Sequence, residues 1–432
     1  MDAQLRPLFE AAVKEKKLAG AGYFIVDRKG DFLSKGAFGT THLQDPDAAP
    51  FDLDTTVPLF SCTKLITALA VLQLVEQGKV AMDDLVEQYV PRISKMQVLE
   101  SIKPGPDGKL DPVLRAPKTK PTVLHLFTHT LGSGYDFFDH STLAWRVYTG
   151  RQPMGYSGVG DWEDFETPFV YEPGTKYIYG VGIDWLGWII EAVSGESLPD
   201  YLVNHVCKPL GMNETGAKLT PGKKNTVVVH FDVEGQGLVG NKGFYMNESP
   251  QVWGGGGFLY STMNDYAKLL VSLLNHGTSP TTGNQILKPE TVKNYVFRDL
   301  LGPEVDRSML GEITTAIPIA TLEGTFLPSM PMEKKGWSAG FLLNHEDLPY
   351  GRKAGSGAWA GLGNLFYWVD PTTGIAGMTG TCLLPFLYPT IMGLSDEVER
   401  VAYGHNVAGE GGVEDDKRNY MAKKKMDSAA AS

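Results

Sequence analysis

The chain has 432 residues, of which 42% are hydrophobic and 21% are charged, and its formal net charge is −11. This length allows two structural lobes, and the acidic balance argues against nucleic acid or an anionic membrane as a general partner. The three cysteines are scattered and odd in number, which predicts neither a disulfide framework nor a metal site.

Residues 1–18 predict a charged amphipathic helix rather than a signal peptide, and no apolar run is long enough to span a bilayer. We therefore expect a cytoplasmic globular protein that needs no cofactor and no obligate protein partner. Residues 21–39 predict two strands joined by a turn at 28–30. A long, almost wholly apolar helix is predicted at 62–77, with Gly78 in place to stop it.

The stretch from residue 80 to 250 mixes helical patches with loops. Apolar residues recur at helical spacing in 122–132, 184–195 and 198–212, so each of these segments is predicted to be a helix. The stretch 103–121 is rich in lysine and proline and predicts a surface loop.

The pattern changes after residue 254, where four glycines precede a capping box at Thr262 and a further amphipathic helix. Strand-like segments then follow towards the C-terminus. Because strands lie near both ends of the chain with helices between them, we predict an α/β (α+β) fold with one antiparallel sheet and a helical insertion. The predicted parts are an α/β lobe of residues 1–75 and 250–405, a mainly helical lobe of 76–249, and a disordered tail of 406–432.

The first turn of the long apolar helix carries Ser61 and Lys64. Residues three apart share a helix face, so the hydroxyl and the amine can meet. The helix dipole and burial both disfavour the ammonium, which lowers the lysine pKa toward that of a usable base. Alternatively, Ser61 caps the helix and Lys64 reaches water. The neighbouring Cys62 is a rival nucleophile, although a free cysteine here is more simply a small buried side chain.

Further segments follow in a fixed order. Tyr179 comes after a Pro-Gly-Thr turn and before a helix, the glycine run lies at 254–257, and "GSGAWAG" at 355–361 reads as a small-residue strand. With these motifs the chain resembles the serine β-lactamases of class C and their penicillin-binding-protein relatives. More closely, it resembles the family VIII carboxylesterases and the fungal acyltransferases of statin biosynthesis. The resemblance extends from the first helix to about residue 405.

The resemblance implies Ser61 as the nucleophile, Lys64 as its base partner, and Tyr179 as the group that relays protons to and from the leaving group. It places the backbone N–H groups of Ser61 and Ala358 in an oxyanion hole. Trp359-Ala360-Gly361 stands where such esterases carry Trp-Gly-Gly, so that alanine replaces the middle glycine.

Substrate-binding residues are expected around this centre. Trp359 and Gly361 belong to the strand that the resemblance brings to the site, and Tyr135 either lines an acyl pocket or sits in an aromatic surface loop. Loops from 130–170 and 240–253 are expected to lie over Ser61.

Two departures from the penicillin-recognising pattern bear on the substrate. Val181 replaces the asparagine that follows the tyrosine, and "GSG" at 355–357 replaces Lys-Thr-Gly. The loss of both polar groups favours a neutral, apolar acyl ester over an anionic β-lactam. Weak β-lactam hydrolysis stays open.

The sequence therefore predicts a serine carboxylesterase whose partner is a small-molecule ester. An acyltransferase that moves the acyl group to an alcohol, as in polyketide pathways, is the nearer alternative. A Ser-His-Asp triad would use His129, for which helix capping is the simpler role. A non-catalytic binding protein of the same fold is the rival from another class.

Overall fold

A computed structural model describes residues 1–105, 108–153, 160–219, 223, 225–244, 246–408 and 420–422. Within these residues the α-helices are α1 (Asp2–Lys14), α2 (Thr63–Glu76), α3 (Val123–Phe127), α4 (His140–Tyr148), α5 (Gly182–Ser194), α6 (Leu198–Leu202), α7 (Met263–Leu274), α8 (Pro289–Thr291) and α9 (Pro389–Ala402). None of the described helices is both long enough and apolar enough to cross a membrane.

The strands are β1 (Gly20–Asp27), β2 (Phe32–Gly39), β3 (Val57–Pro58), β4 (Val98–Pro104), β5 (Leu110–Arg115), β6 (Val229–Val233), β7 (Gly237–Asn241), β8 (Tyr260–Ser261), β9 (Glu312–Ile313), β10 (Gly324–Phe326), β11 (Lys335–Trp337), β12 (Leu342–Asn344), β13 (Ser356–Gly361), β14 (Leu365–Asp370), β15 (Ile375–Thr381), β16 (Leu383–Leu384) and β17 (Tyr420–Ala422).

One seven-stranded sheet joins the two ends of the chain. Its order is β11-β12-β13-β14-β15-β1-β2, and the neighbouring strands pair antiparallel. The first hairpin therefore lies beside a strand more than 330 residues later, with Ala21 opposite Thr381 and Asp27 opposite Ile375. This confirms the predicted antiparallel sheet built from both termini.

Helices cover both faces of this sheet. Successive residues of a strand point to opposite faces, and Tyr23 packs against Phe9 of α1 at a ring distance of 5.0 Å. The adjacent Gly22 faces Met263 of α7, because a Cβ there would lie 3.2 Å from the methionine sulfur. The sheet is thus a middle layer, and its strands β13, β14 and β15 are buried along their whole length.

Helix α2 is buried on nearly every face, as its apolar sequence predicts. It is preceded by a 3₁₀ turn at Phe60–Cys62 and ends just before Gly78, whose φ of +68° is accessible to glycine. The predicted cap of α7 is also confirmed, since Thr262 accepts a hydrogen bond from the Asp265 N–H. All three cysteines are free and buried.

The predicted loop at 103–121 is wrong, because β4 and β5 form an antiparallel hairpin over most of it. A two-stranded hairpin has free edges, where a proline such as Pro112 loses no hydrogen bond that the ladder needs. The segment 76–249 also holds the hairpin β6–β7, so it is less helical than the sequence suggests.

Two predicted helices are shorter or less regular than expected. The helix predicted over 122–132 ends at Phe127, and His129 takes a left-handed φ of +53°. The helix over 198–212 begins as α6 and continues through a wider π turn to Gly211. In the predicted disordered tail, β17 pairs with β10. Residues 409–419 and 423–432 lie outside the described part of the chain, so disorder there stays a prediction.

Candidate active site

Ser61 and Lys64 meet at the start of α2. Lys64 Nζ lies 3.0 Å from Ser61 Oγ and donates a hydrogen bond to the Gly256 carbonyl at 2.8 Å. The lysine side chain is buried, with 5% of the residue exposed. The alternative in which Lys64 reaches bulk water is therefore wrong, and the hydroxyl and amine are positioned for proton exchange.

Burial also changes the proton affinity of this lysine. Desolvation lowers the pKa of Lys64 from the ordinary 10.5 to about 8, and the nearby Asp184 opposes part of this change. The adjacent Cys62 is fully buried, and desolvation raises the pKa of its thiol. Since the thiolate is the reactive form of cysteine, this agrees with the expected inert side chain.

Tyr179 completes a trio of polar groups. Its hydroxyl oxygen accepts a hydrogen bond from Trp359 Nε1 at 3.0 Å, and the Ser61 side chain lies beside it. Its ring lies 5.1 Å from Lys64 Nζ. Desolvation raises the pKa of the Tyr179 phenol above its ordinary value, so the phenol is protonated at neutral pH. Trp359 thus holds Tyr179 rather than lining the cavity beside Ser61.

His129 lies close to this centre without forming a triad. Its Nδ1 accepts a hydrogen bond from the Gly180 N–H at 3.3 Å, and its ring packs 4.6 Å from that of Tyr179. Burial lowers the pKa of His129 well below its ordinary value. The histidine neither caps α3 nor bonds Ser61. It fixes the backbone directly after Tyr179.

The glycine run supplies backbone groups to the site. The Gly256 carbonyl accepts from Lys64, and the Gly255 carbonyl accepts from Thr67 Oγ1 at 2.7 Å, one turn further along α2. A Cβ on Gly255 would lie 2.7 Å from the Ile183 carbonyl oxygen, and one on Gly254 would lie 2.6 Å from Asp184 Oδ1. Close backbone approach therefore explains why glycine fills this turn.

Asp184, in the first turn of α5, is a site residue that the sequence analysis missed. Its Oδ1 accepts from the Gly256 N–H at 2.8 Å, and its Oδ2 accepts from the Tyr135 hydroxyl at 2.7 Å. Only 3% of the residue is exposed, and burial raises the pKa of its carboxyl group. A single acidic residue in the apolar segment "GIDWLGW" was the available signal.

The structure does not bring Ala358 to the cavity. Its side chain packs with Trp368 and Ile375 in a separate cluster, and the residue pairs with neighbouring strands on both sides. The end of β13 does reach the site. A Cβ on Gly361 would lie 2.5 Å from the Leu59 carbonyl oxygen, and the next residue, Leu362, lines the cavity with Ser61.

A cavity opens beside Ser61 and Lys64, and the empty space in it, with the solvent at its open mouth included, is about 740 Å³. Tyr135 belongs to its wall, which resolves the two alternatives for this residue in favour of the pocket. The described residues that line it are mostly apolar, and its charged side chains are Lys64 and Asp184. The lining residues are Phe60, Ser61, Lys64, Tyr135, Phe137, Phe165, Asp184, Met246, Asn247, Pro250, Val252, Trp253, Gly254, Gly256, Gly257, Phe258 and Leu362.

Described residues of the predicted loops 130–170 and 240–253 line the cavity beside Ser61, among them Tyr135, Phe165 and Val252. The first of these loops is anchored by the buried Arg146, whose guanidinium lies 3.0 Å from both Asp136 Oδ2 and Asp164 Oδ1. Within the described residues, no cluster of three or more His, Cys, Asp or Glu side chains is placed to hold a metal ion.

Curated relatives align with almost the whole chain. The ML-236A carboxylate methylbutanoyltransferase of Penicillium citrinum is 27% identical over 412 residues, covering 93% of this chain and 94% of the relative. The lovastatin esterase of Penicillium rubens is 29% identical and covers 86% of this chain and 90% of the relative. A mutant of the simvastatin synthase of Aspergillus terreus superposes with a TM-score of 0.76 at 27% identity, covering 92% and 93% of the two chains.

The first two relatives carry names of acyl transfer and ester cleavage. Together with the Ser61–Lys64 pair in a buried, largely apolar site, they define the class of this chain as a serine enzyme of acyl transfer or hydrolysis. Its family follows from the match of residues 5–380 to the family model described as Beta-lactamase, and the chain belongs to that family. An enzyme is therefore favoured over the non-catalytic binding protein.

Proposed function

We propose that this protein transfers a neutral, apolar acyl group from an ester or thioester to an alcohol through an acyl-enzyme on Ser61. The observation that carries the proposal is the 3.0 Å contact between Ser61 Oγ and the buried Lys64 amine, at the wall of a mostly apolar cavity. Such a cavity suits an acyl chain. Among the described residues that line it, Lys64, which lies beside the nucleophile, is the only cation that could meet a substrate carboxylate.

In the first half-reaction, Ser61 Oγ attacks the acyl carbonyl while its proton passes to the neutral Lys64 amine. Lys64 serves as the base because its pKa is lowered to about 8, whereas that of Tyr179 is raised. The C–O or C–S bond then breaks, and the leaving group takes a proton from Tyr179, which Lys64 replenishes. An alcohol then attacks the acyl-enzyme, and the same proton transfers in reverse order release the new ester and free Ser61.

The tetrahedral oxyanion needs two hydrogen-bond donors. We assign these to the backbone N–H groups of Ser61 and Leu362, in place of Ala358. The support is that Leu362 lines the cavity with Ser61, while β13 ends against the turn that carries the nucleophile.

Hydrolysis of the same acyl-enzyme by water is the second candidate, favoured by the likeness to the lovastatin esterase. Efficient β-lactam hydrolysis is not favoured. Val181, at the position of the family's asparagine, is buried at the start of α5, and β13 carries no lysine.

The test is product analysis with a short branched acyl thioester and an excess of a hydrophobic alcohol. We expect the new ester to exceed the free acid, and Ser61→Ala to form neither while it unfolds at the wild-type temperature. If free acid is the sole product, the protein is a hydrolase and the proposed transfer to an alcohol is overturned. Turnover by Ser61→Ala, or failure of a fluorophosphonate to label wild-type Ser61, would overturn the acyl-enzyme.

A further inference from the structure

Asp184 is the acidic side chain in the wall of the reaction cavity. Both of its carboxyl oxygens accept hydrogen bonds, Oδ1 from the Gly256 N–H and Oδ2 from the Tyr135 hydroxyl. The Gly256 N–H can only donate, so Oδ1 is an acceptor, and the Tyr135 hydroxyl donates to Oδ2. The geometry is therefore that of a carboxylate, placed in the first turn of α5 where the helix dipole favours an anion.

The carboxylate is linked to Lys64 through one residue. Gly256 donates its N–H to Asp184 and accepts from Lys64 through its carbonyl oxygen. The contact leaves no free space, because a Cβ on Gly256 would lie 2.6 Å from the Tyr135 hydroxyl oxygen and 2.7 Å from either carboxyl oxygen. Asp184 thus fixes the carbonyl that orients the lysine amine.

Tyr135 is the second link between the two charges. Its hydroxyl is held by Asp184, and its ring lies 4.8 Å from Lys64 Nζ, within the range of a cation–π contact. The same carboxylate therefore positions a backbone carbonyl and an aromatic face, both of which stabilise an ammonium better than an amine.

In the described part of the chain, the other titratable groups that face this pair are neutral at neutral pH. Burial raises the pKa values of Tyr135, Tyr179 and the Cys62 thiol, and it lowers that of His129. Asp184 is consequently the negative charge that acts on Lys64 at the moment when the Ser61 O–H bond breaks and an N–H bond forms on the amine. The proton then passes from Lys64 to Tyr179, which has protonated the leaving group, so the charges balance over the cycle.

We propose that Asp184 is a positioning residue for the acyl transfer proposed above, which orients Lys64 through Gly256 and Tyr135 and supplies the counter-charge for its transient ammonium. This inference rests on the proposed function. It goes further by assigning the acid–base behaviour of the lysine to a carboxylate whose hydrogen bonds go to Gly256 and Tyr135 rather than to the nucleophile.

The experiment is the pH profile of kcat/KM for hydrolysis of a p-nitrophenyl ester by the full chain. In the wild type, kcat/KM should rise with a midpoint near the Lys64 pKa of about 8. In Asp184→Asn the ammonium loses its counter-charge, so we expect the midpoint to fall by about one pH unit and the high-pH plateau to fall about tenfold or more. Asp184→Ser is measured beside it, because it removes the same charge with less crowding.

The matched control is Glu191→Gln, which removes one carboxylate from the same helix. Glu191 Oε1 accepts from the Leu198 N–H at 2.8 Å and does not line the cavity. We expect the wild-type midpoint and plateau for this variant.

A wild-type or higher midpoint in folded Asp184→Asn and Asp184→Ser overturns the inference, since a purely structural role would lower the plateau alone. Failure of both variants to fold, judged by thermal unfolding, overturns it as well. An inactive wild type that fluorophosphonate does not label refutes instead the proposed function, so the two failures are distinguishable.

Discussion

Replacement of Lys64 by methionine should stabilise the protein at neutral pH while it abolishes activity. Burial lowers the pKa of Lys64 from the ordinary 10.5 to about 8, so the folded state holds the ammonium less well than the unfolded state does. A difference of about 2.5 pH units corresponds to about 3 kcal/mol at 1.36 kcal/mol per unit. This cost is present in full below about pH 8 and disappears above about pH 10.5.

The sign follows from proton linkage. Between pH 8 and 10.5 the unfolded chain binds more protons at Lys64 than the folded chain, so stability rises with pH in that window. Methionine does not titrate, so it removes this pH dependence of stability, and it keeps most of the side-chain volume. It also leaves the Gly256 carbonyl without its lysine donor, which costs about 1 kcal/mol. We therefore expect Lys64→Met to be about 2 kcal/mol more stable than the wild type at pH 7.

The measurement is equilibrium unfolding by urea at pH 7, 8.5 and 10, with variant and wild type compared at each pH so that other titrating groups cancel. The advantage of Lys64→Met should shrink as the pH rises and change sign near pH 10. A variant that is less stable at pH 7, with a difference that does not vary with pH, would refute the assignment of a buried, destabilised ammonium. Such a result would place the lysine in a solvated site.

Two further substitutions test the proton relay and the anchored loop. Tyr179→Phe should lower kcat about 10²- to 10³-fold with the fold intact. The control is Tyr177→Phe, in the same buried segment, whose hydroxyl has no hydrogen-bond partner among the described residues, and its kcat should stay within about twofold of the wild type. Equal losses of ester turnover in the two variants would contradict the relay. Arg146→Ala removes the buried guanidinium from Asp136 and Asp164, while Arg151 stays paired with Asp164, and it should cost about 3 kcal/mol of unfolding free energy. Arg6→Ala, at an exposed ion pair, should cost less than about 0.5 kcal/mol in the same urea titration, and similar values for the two would contradict the buried cluster.

Local spacing predicted the centre of the site well. Ser61 and Lys64 are three residues apart on one helix, so their contact follows from helix geometry alone. Tyr179 could be placed only by the order of motifs that the family shares, because nothing local says that a turn 118 residues later meets α2. The antiparallel sheet followed from strand-like segments at both ends of the chain.

Other parts depended on tertiary detail that the sequence does not contain. The sequence places the second oxyanion donor at Ala358 and we propose Leu362 instead, because the point where β13 meets the nucleophile turn depends on sheet register. Asp184 was overlooked because helical periodicity marks its segment as buried but does not identify the donors that face it. The hairpin β4–β5 was missed because its lysines and prolines suit an exposed edge as well as a loop.

The pairing of β1 with β15 has a consequence for biosynthesis. The first hairpin is made within the first 39 residues, yet its neighbour in the sheet ends at Thr381. During translation one edge of β1 stays without its partner β15 until nearly nine-tenths of the 432 residues have been synthesised. Contacts of such long sequence separation fold slowly, so the nascent chain exposes an apolar strand edge for most of its synthesis. We therefore expect a chaperone that shields strand edges to increase the yield of this enzyme.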